Sequence, residues 1–394
     1  MNIVNYIFLK KLFKKNINCV IIKSVIKMKL KNGKIFIDGK FTEVTLSINN
    51  GIIDNIENEV NDDSFVIDCS DKYIIPGLVD IHTHGCAGAD FSSANTQQIA
   101  EMQKYYLQNG ITTILATTVA LSNDDIIKAT DNIKSAMTDN FKKAKIAGIN
   151  LEGPYLSPKK CGAHDISLLK EPDIDFINSL GEEVKVVHVA PEYTKAFDFI
   201  KKFKGKTSIA HTACDYTTAM KAIENGADHI THIFNAMNGL HHREPGVIGA
   251  FFDSSAIAEL ICDSIHINPA ILRMMFNSYG DRVAIISDSM AATGLKNGTY
   301  KLGSLDVYVK DSVATLKDGT LAGSAMNIMD MVKNLISIGI DAEKAILSAT
   351  HIPAKSVGID SICGEIKTGR TADIVILNND FSINRVITDG EILT

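Results

Sequence analysis

A chain of 394 residues with 45% apolar and 22% charged residues can bury a large core and has the composition of a soluble globular protein. Its net charge of −6 excludes the basic footprint of a general nucleic-acid binder, and no stretch reaches the ~18 apolar residues of a membrane span. Seven cysteines with no C-x-x-C pair exclude a disulfide framework and read as free thiols of a reducing, cytoplasmic compartment.

In chain order, residues 1–27 hold six lysines and no acid, so the remainder carries −12. The segment lacks the apolar block and cleavage pattern of a signal peptide. It reads as a basic extension outside the fold, with a weak targeting arm as the alternative. Met28 opens a strand-rich stretch. Short runs at Lys34–Asp38, Val44–Ile48 and Gly51–Ile56 are parted by Gly, Asn and Asp turns. The tail repeats this pattern at Gly364–Ile366, Ala372–Leu377 and Arg385–Ile387, the last turned back by Gly390. Residues 28–75 and 364–394 are therefore expected to form one small β-sandwich domain built from both chain ends.

Residues 76–363 change to buried runs alternating with helical stretches, the signature of βα units. The runs are Leu78–His82, Thr112–Val119, Ile146–Leu151, Val184–Val189, Ser208–His211, His229–Phe234, Ala256–Cys262 and Val283–Ser287. A helix over Ala213–Asn225, stopped at Gly226, represents the intervening segments. Eight such units predict an α/β fold of the TIM (β/α)8 barrel type, with its active site at the C-terminal ends of the strands.

Those strand ends carry chemistry. The first run closes with His82-Thr83-His84, and residues i and i+2 of a strand share a face, so both imidazoles can approach one metal ion. The third run ends in Glu152, the fifth in His211 and the eighth in Asp288; the sixth carries His232 and the seventh leads to His266. One buried histidine is usually a core residue. Buried imidazoles and carboxylates closing six runs at one barrel face would be costly without a partner. Imidazole nitrogen and carboxylate oxygen suit Zn²⁺ or Fe²⁺, which lowers the pKa of a bound water toward ~7. Glu152 is placed to bridge two ions, and Asp288 to accept and deliver a proton.

Other histidines are read differently. His229, three residues before His232, would face the opposite side of a strand and is structural. His241 and His242 fall on a loop, His351 in a helical region, and His188 is a core or supporting residue. Cys86 and Cys161 read as core or loop thiols.

Pro76-Gly77-Leu78-Val79-Asp80-Ile81-His82-Thr83-His84 and the closing Gly364–Val375 segment resemble the amidohydrolase superfamily. Narrower motifs resemble its N-acetylglucosamine-6-phosphate deacetylase family: Leu151-Glu152-Gly153-Pro154-Tyr155-Leu156, Ala210-His211-Thr212, Thr231–Met237, Arg243-Glu244-Pro245-Gly246, Asp263-Ser264-Ile265-His266, Ser287-Asp288-Ser289-Met290 and Leu321-Ala322-Gly323-Ser324. The resemblance implies metal ligation by His82, His84, Glu152, His211, His232 and Asp288, with one or two divalent ions per subunit, zinc or iron. It implies Asp288 as the catalytic residue, and a phosphosugar substrate held by Ala163, His164, Asn235, Ala236, Arg243, His266, Leu321, Ala322 and Gly323. It also implies a homodimer in which Arg243 acts within its own subunit or across the interface. Ser264 stands where the family more often has glycine. The superfamily's carboxylated lysine would close the fourth run, but Lys185 lies at its start, which leaves the bridging role to Glu152. The rival readings are another amide or cyclic-amide hydrolase of the superfamily, or a catalytically silent barrel.

Overall fold

The computed structural model describes residues 27–57, 64–138 and 142–393. Of the basic extension, residues 1–26 lie outside this set. Lys27, counted with the extension from sequence, instead opens the first strand, where it pairs with Asn49.

The two chain ends build a sandwich. One sheet has four strands in the order Ile52–Glu57, Thr45–Asn49, Lys27–Lys31 and Phe65–Asp68. The other has six: Glu391–Ile392, Ile383–Thr388, Ile374–Leu377, Tyr73–Pro76, Lys34–Ile37 and Lys40–Glu43. Leu30, Leu46, Ile48 and Ile53 from the first sheet pack on Ile35, Ile74, Ile374, Ile376 and Ile387 from the second. The intervening residues of the second sheet, Phe36, Ile75, Val375, Leu377 and Val386, point the other way, into the barrel core. The period-2 alternation of a strand thus buries one sheet on both faces and welds sandwich to barrel. The tail expectation needs one correction. Gly364–Ile366 is not a strand: Gly364 has φ +88, and a Cβ there would stand 2.9 Å from the Thr350 carbonyl oxygen.

Eight parallel strands form the barrel in sequence order: Leu78–Thr83, Ile111–Thr118, Lys145–Leu151, Val184–Val189, Lys206–Ile209, His229–Ile230, Ile257–Ile261 and Val283–Ile286. A parallel bridge between Thr83 and Ser289 joins the last strand to the first. The expected barrel is observed, with one strand much shorter than read. The sixth run was expected to extend to Phe234 but ends at Ile230, because His232, Phe234 and Ala236 all take left-handed backbone (φ 27, 79 and 50). The helix expected over 213–225 spans Tyr216–Glu224. Asp215 caps it by accepting from the Thr218 amide, and Glu192 holds the Ala213 amide in the preceding turn.

One element has no counterpart in the sequence reading. Gly298–Leu302, Leu305–Lys310 and Val313–Thr315 form a three-stranded antiparallel sheet after the eighth barrel strand. Its Leu302, Val307, Val309 and Ala314 form a small core with Val119, Met290 and Ala292. This places the sheet over the mouth of the barrel.

Gly77 joins sandwich to barrel. Its amide donates to the Asp373 carbonyl of the tail, and a Cβ there would lie 2.1 Å from Oγ1 of buried Thr112. Gly77→Ala should therefore destabilise the protein by about 1–3 kcal/mol, as overpacked core substitutions do. Thermal melts should show a lowered Tm, and adding Thr112→Ala should restore part of it.

Candidate active site

Barrel closure positions the first candidate ligands. The Asp288 amide donates to the His82 carbonyl, and the His84 amide donates to the Ser289 carbonyl. Asp288 itself has φ 46, and His211 and His232 have φ 42 and 27. Non-glycine residues in the left-handed region cost of order 1–3 kcal/mol each and persist only where the surroundings hold them. Here the bends turn three side chains off their strand ends toward one point.

That point is Glu152, buried at the end of the third strand. Six imidazoles lie within 3.5 Å of its carboxylate. Oε1 faces His232 Nε2 at 3.0 Å, His211 Nε2 at 3.3 Å, and His82 Nε2 and His188 Nδ1 at 3.5 Å. Oε2 faces His84 Nε2 at 3.0 Å and His164 Nε2 at 3.4 Å. Asp288 Oδ1 lies 3.2 Å from His84 Nε2 and 3.7 Å from His82 Nε2. The two oxygens of Glu152 thus look into two adjacent nests, Glu152–His211–His232 and His82–His84–Glu152–Asp288, each close enough to hold an ion.

Hydrogen bonds behind the rings set which nitrogen faces inward. His211 Nδ1 donates to the Lys160 carbonyl at 2.8 Å, so its Nε2 presents a lone pair. His82 Nδ1 donates to Glu259 Oε2 at 3.0 Å, so in the neutral ring Nε2 is the acceptor, and it is buried and without a hydrogen bond. His164 is the reverse. Its Nδ1 accepts from the Ala120 amide at 3.2 Å, which puts the ring proton on Nε2, toward Glu152.

Electrostatics follow this crowding. Burial favours a neutral Glu152, but His82 and the surrounding rings hold it well below the carboxylate range. Burial would lower His82 and His84, yet Glu152 and Asp288 reverse it, raising His82 well above normal and His84 to about 9. His211, by burial, falls to about 4, whereas Glu152 raises its neighbour His232 against burial. Asp288 would rise on burial but is pulled down to about 2 by His84 and His82.

The donor set fits a divalent cation. His211 Nε2 and His232 Nε2 stand 3.0 Å apart. With metal–nitrogen bonds of about 2.0–2.1 Å, two imidazoles on one ion stand roughly that far apart. The neutral His211 aims a lone pair at the ionised Glu152, and a cation between them would remove that conflict and take the place of the second proton that Glu152 and Asp288 hold on His82.

A cavity of about 550 Å³ opens above this cluster. Its wall includes His84, Glu152, Ala163, His164, His211, His232, Asn235, Ala236, His266, Asp288, Leu321 and Gly323. His82 lies beneath it and Ala322 behind it, both fully buried. His266 is held by Asp263, which accepts from its Nδ1 at 2.7 Å. Ser264, in the glycine-favoured position, has φ 62, and its Oγ accepts from Asn334 at 2.7 Å. Arg243 differs from expectation. It is exposed, donates to His242 Nε2 at 2.7 Å, and is not part of the cavity wall of its own chain.

His188 proves to be a neighbour of Glu152, with burial lowering it to about 4. His229 stays outside the cluster as expected, paired with Asp228 at 2.8 Å, although the strand parity used to place it ends at Ile230. Sequence reasoning missed Glu259 and the Lys160 carbonyl, which orient the rings, gave Asp263 no role beyond its motif, and missed Leu302, Asp318 and Thr320 of the covering segment, which line the cavity. A lone acid inside the apolar run Ile257-Ala258-Glu259-Leu260-Ile261 was the available signal for the first.

A barrel face with clustered histidines and carboxylates defines a hydrolase-type metal centre, and residues 73–393 match the amidohydrolase family. The chain belongs to the amidohydrolase family. Within it, the chain is 33% identical over 329 residues to the N-acetylglucosamine-6-phosphate deacetylase of Vibrio furnissii, covering 81% of this chain and 82% of that protein. It is 30% identical over 330 residues to the N-acetylgalactosamine-6-phosphate deacetylase of Escherichia coli O157:H7, covering 82% and 88%. The crystal structure of N-acetylglucosamine-6-phosphate deacetylase from Pasteurella multocida superposes with a TM-score of 0.89 at 26% identity, covering 94% of this chain and 100% of that one.

Because both nests share Glu152, Glu152→Ala should lose most bound metal. Elemental analysis of purified wild type and variant checks this, with circular dichroism as the control for folding.

Proposed function

We propose that this chain hydrolyses N-acetylglucosamine 6-phosphate to glucosamine 6-phosphate and acetate. The observation that carries the reading is the pair of nests around Glu152 at the floor of a cavity of about 550 Å³. Glu152, His211 and His232 hold one divalent ion, zinc or iron, and His82, His84, Glu152 and Asp288 hold a second. Such ions supply Lewis acidity and lower the pKa of a water toward ~7.

The remaining work belongs to the chain. Asp288 lies at the cavity wall with Oδ1 3.2 Å from His84 Nε2, where its carboxylate accepts a proton from the attacking water and hands it to the sugar nitrogen as the C–N bond breaks. His164, with its proton on Nε2, donates to the charge that develops on the acetyl oxygen. His266, braced by Asp263, and the Asn235-Ala236 turn receive the phosphate end. Ala163, Leu321, Ala322 and Gly323 shape the wall that covers the sugar. Arg243 lies outside its own cavity wall; the family resemblance points to a homodimer in which it completes the phosphate site of the other subunit. The described cysteines are all free, and no helix among the described residues is long and apolar enough to cross a membrane; both fit a cytoplasmic enzyme.

The deciding assay is acetate release from N-acetylglucosamine 6-phosphate, its 4-epimer and the unphosphorylated sugar. Clear preference for the first supports the proposal; indifference to the phosphate returns the choice to the wider family of amide and cyclic-amide hydrolases.

Two substitutions probe the roles. Asp288→Asn keeps the shape but accepts no proton, so kcat should fall ~10²–10⁴-fold while the fold and at least one metal ion persist. A charge-assisted contact is worth ~1.5–3 kcal/mol. Arg243→Ala should therefore lower kcat/KM for the phosphosugar about ten- to a hundredfold. The slow rate on the unphosphorylated sugar should stay unchanged, and equal losses would assign Arg243 a structural role.

A further inference from the structure

Glu259 sits in the middle of the seventh barrel strand, fully buried, and no step proposed above uses it. Its Oε2 lies 3.0 Å from His82 Nδ1. An ionised carboxylate only accepts, so one His82 proton is held on Nδ1, and the ring that ligates a cation, having lost its other proton, offers its lone pair at Nε2. That Nε2 faces Glu152 Oε1 at 3.5 Å and Asp288 Oδ1 at 3.7 Å. Without Glu259 nothing would hold a proton on Nδ1, and the single proton of the neutral ring would settle on Nε2, where two carboxylates attract it and where a cation must sit. His188 closes the remaining side, its ring edge-on to His82 with centroids 5.0 Å apart.

Resting on the reading that each subunit holds two divalent ions, we propose that Glu259 is a positioning residue that sets the affinity of the second ion, by locking His82 in the tautomer whose Nε2 faces Glu152 and Asp288. The first nest is independent of it, because His211 is oriented by the Lys160 carbonyl instead. The effect is therefore selective. His82, His188 and Glu259 also stand close enough to suggest an ion site of their own. A neutral imidazole has one lone pair, however, and His82 cannot offer it to both sides.

The test strips metal from wild type, Glu259→Gln and Glu259→Leu, then titrates zinc alone in equilibrium dialysis and counts ions per subunit. Loss of an outer partner of a ligating histidine typically weakens metal affinity 10–100-fold. Two zinc ions are expected in wild type. The first should bind equally tightly in all three proteins. The second should weaken about tenfold in Glu259→Gln, which keeps an acceptor oxygen but not the charge, and toward a hundredfold in Glu259→Leu. The near-isosteric Gln variant carries the test if the Leu variant does not fold. Unchanged second-ion affinity in Glu259→Gln overturns the role of Glu259 while leaving the two-ion reading in place. Equal weakening of both ions overturns it too, since that marks a general structural effect, and so does a third ion in wild type. A wild type that binds one ion or none overturns the two-ion reading and this inference together.

Discussion

A single buried carboxylate, Glu152, with six imidazoles within 3.5 Å, organises this molecule. Taking such a group out of water is costly, and the cost is offset only by surrounding it with partners of opposite character. Outer hydrogen bonds fix one ring proton of His211 and of His82 on Nδ1, so that Nε2 of each is the nitrogen turned toward it. His211 is turned by a carbonyl and His82 by a carboxylate. The carboxylates are balanced by positive charge at the centre, from protons on His82 and His84 or from a cation that replaces them. Binding a cation and completing the barrel core are thus one physical problem.

The fold solves it with bent strand ends. A straight strand points alternate side chains inward and outward and cannot bring ligands from separate strands to one point above the barrel. The left-handed residues His211, His232 and Asp288 lift their side chains off the strand direction. The bridge between Thr83 and Ser289 then sets Asp288 against the two histidines of the first strand. Strain at these positions is held by what surrounds them. The three-stranded sheet packs on Met290 and Ala292 just beyond Asp288, and the double-faced sheet of the sandwich closes the other side of the molecule.

The strands of the barrel, the use of both chain ends in the sandwich, and the cluster of His82, His84, Glu152, His211, His232 and Asp288 were legible in the sequence. Each is written locally: a buried run is a string of apolar residues, and a ligand at its end interrupts that string with a group that cannot be buried alone. The covering sheet was not read. Its short strands around Gly303 alternate with exposed lysines and aspartates and resemble an ordinary loop until they pack on Val119 and Met290. The true length of the sixth strand was hidden as well, because backbone sign at His232 is set by the neighbours that hold it.

What the sequence determined by itself is therefore the kind of chemistry and the order of the elements that carry it, since periodicity and residue type need only local chain geometry. The tertiary structure alone decided which nitrogen of each ring faces the centre, that Glu259 stands behind His82, and that Arg243 lies outside the cavity of its own chain. Those properties depend on pairs such as His82 and Glu259, 177 residues apart in the chain. Their contact is created only when the barrel closes.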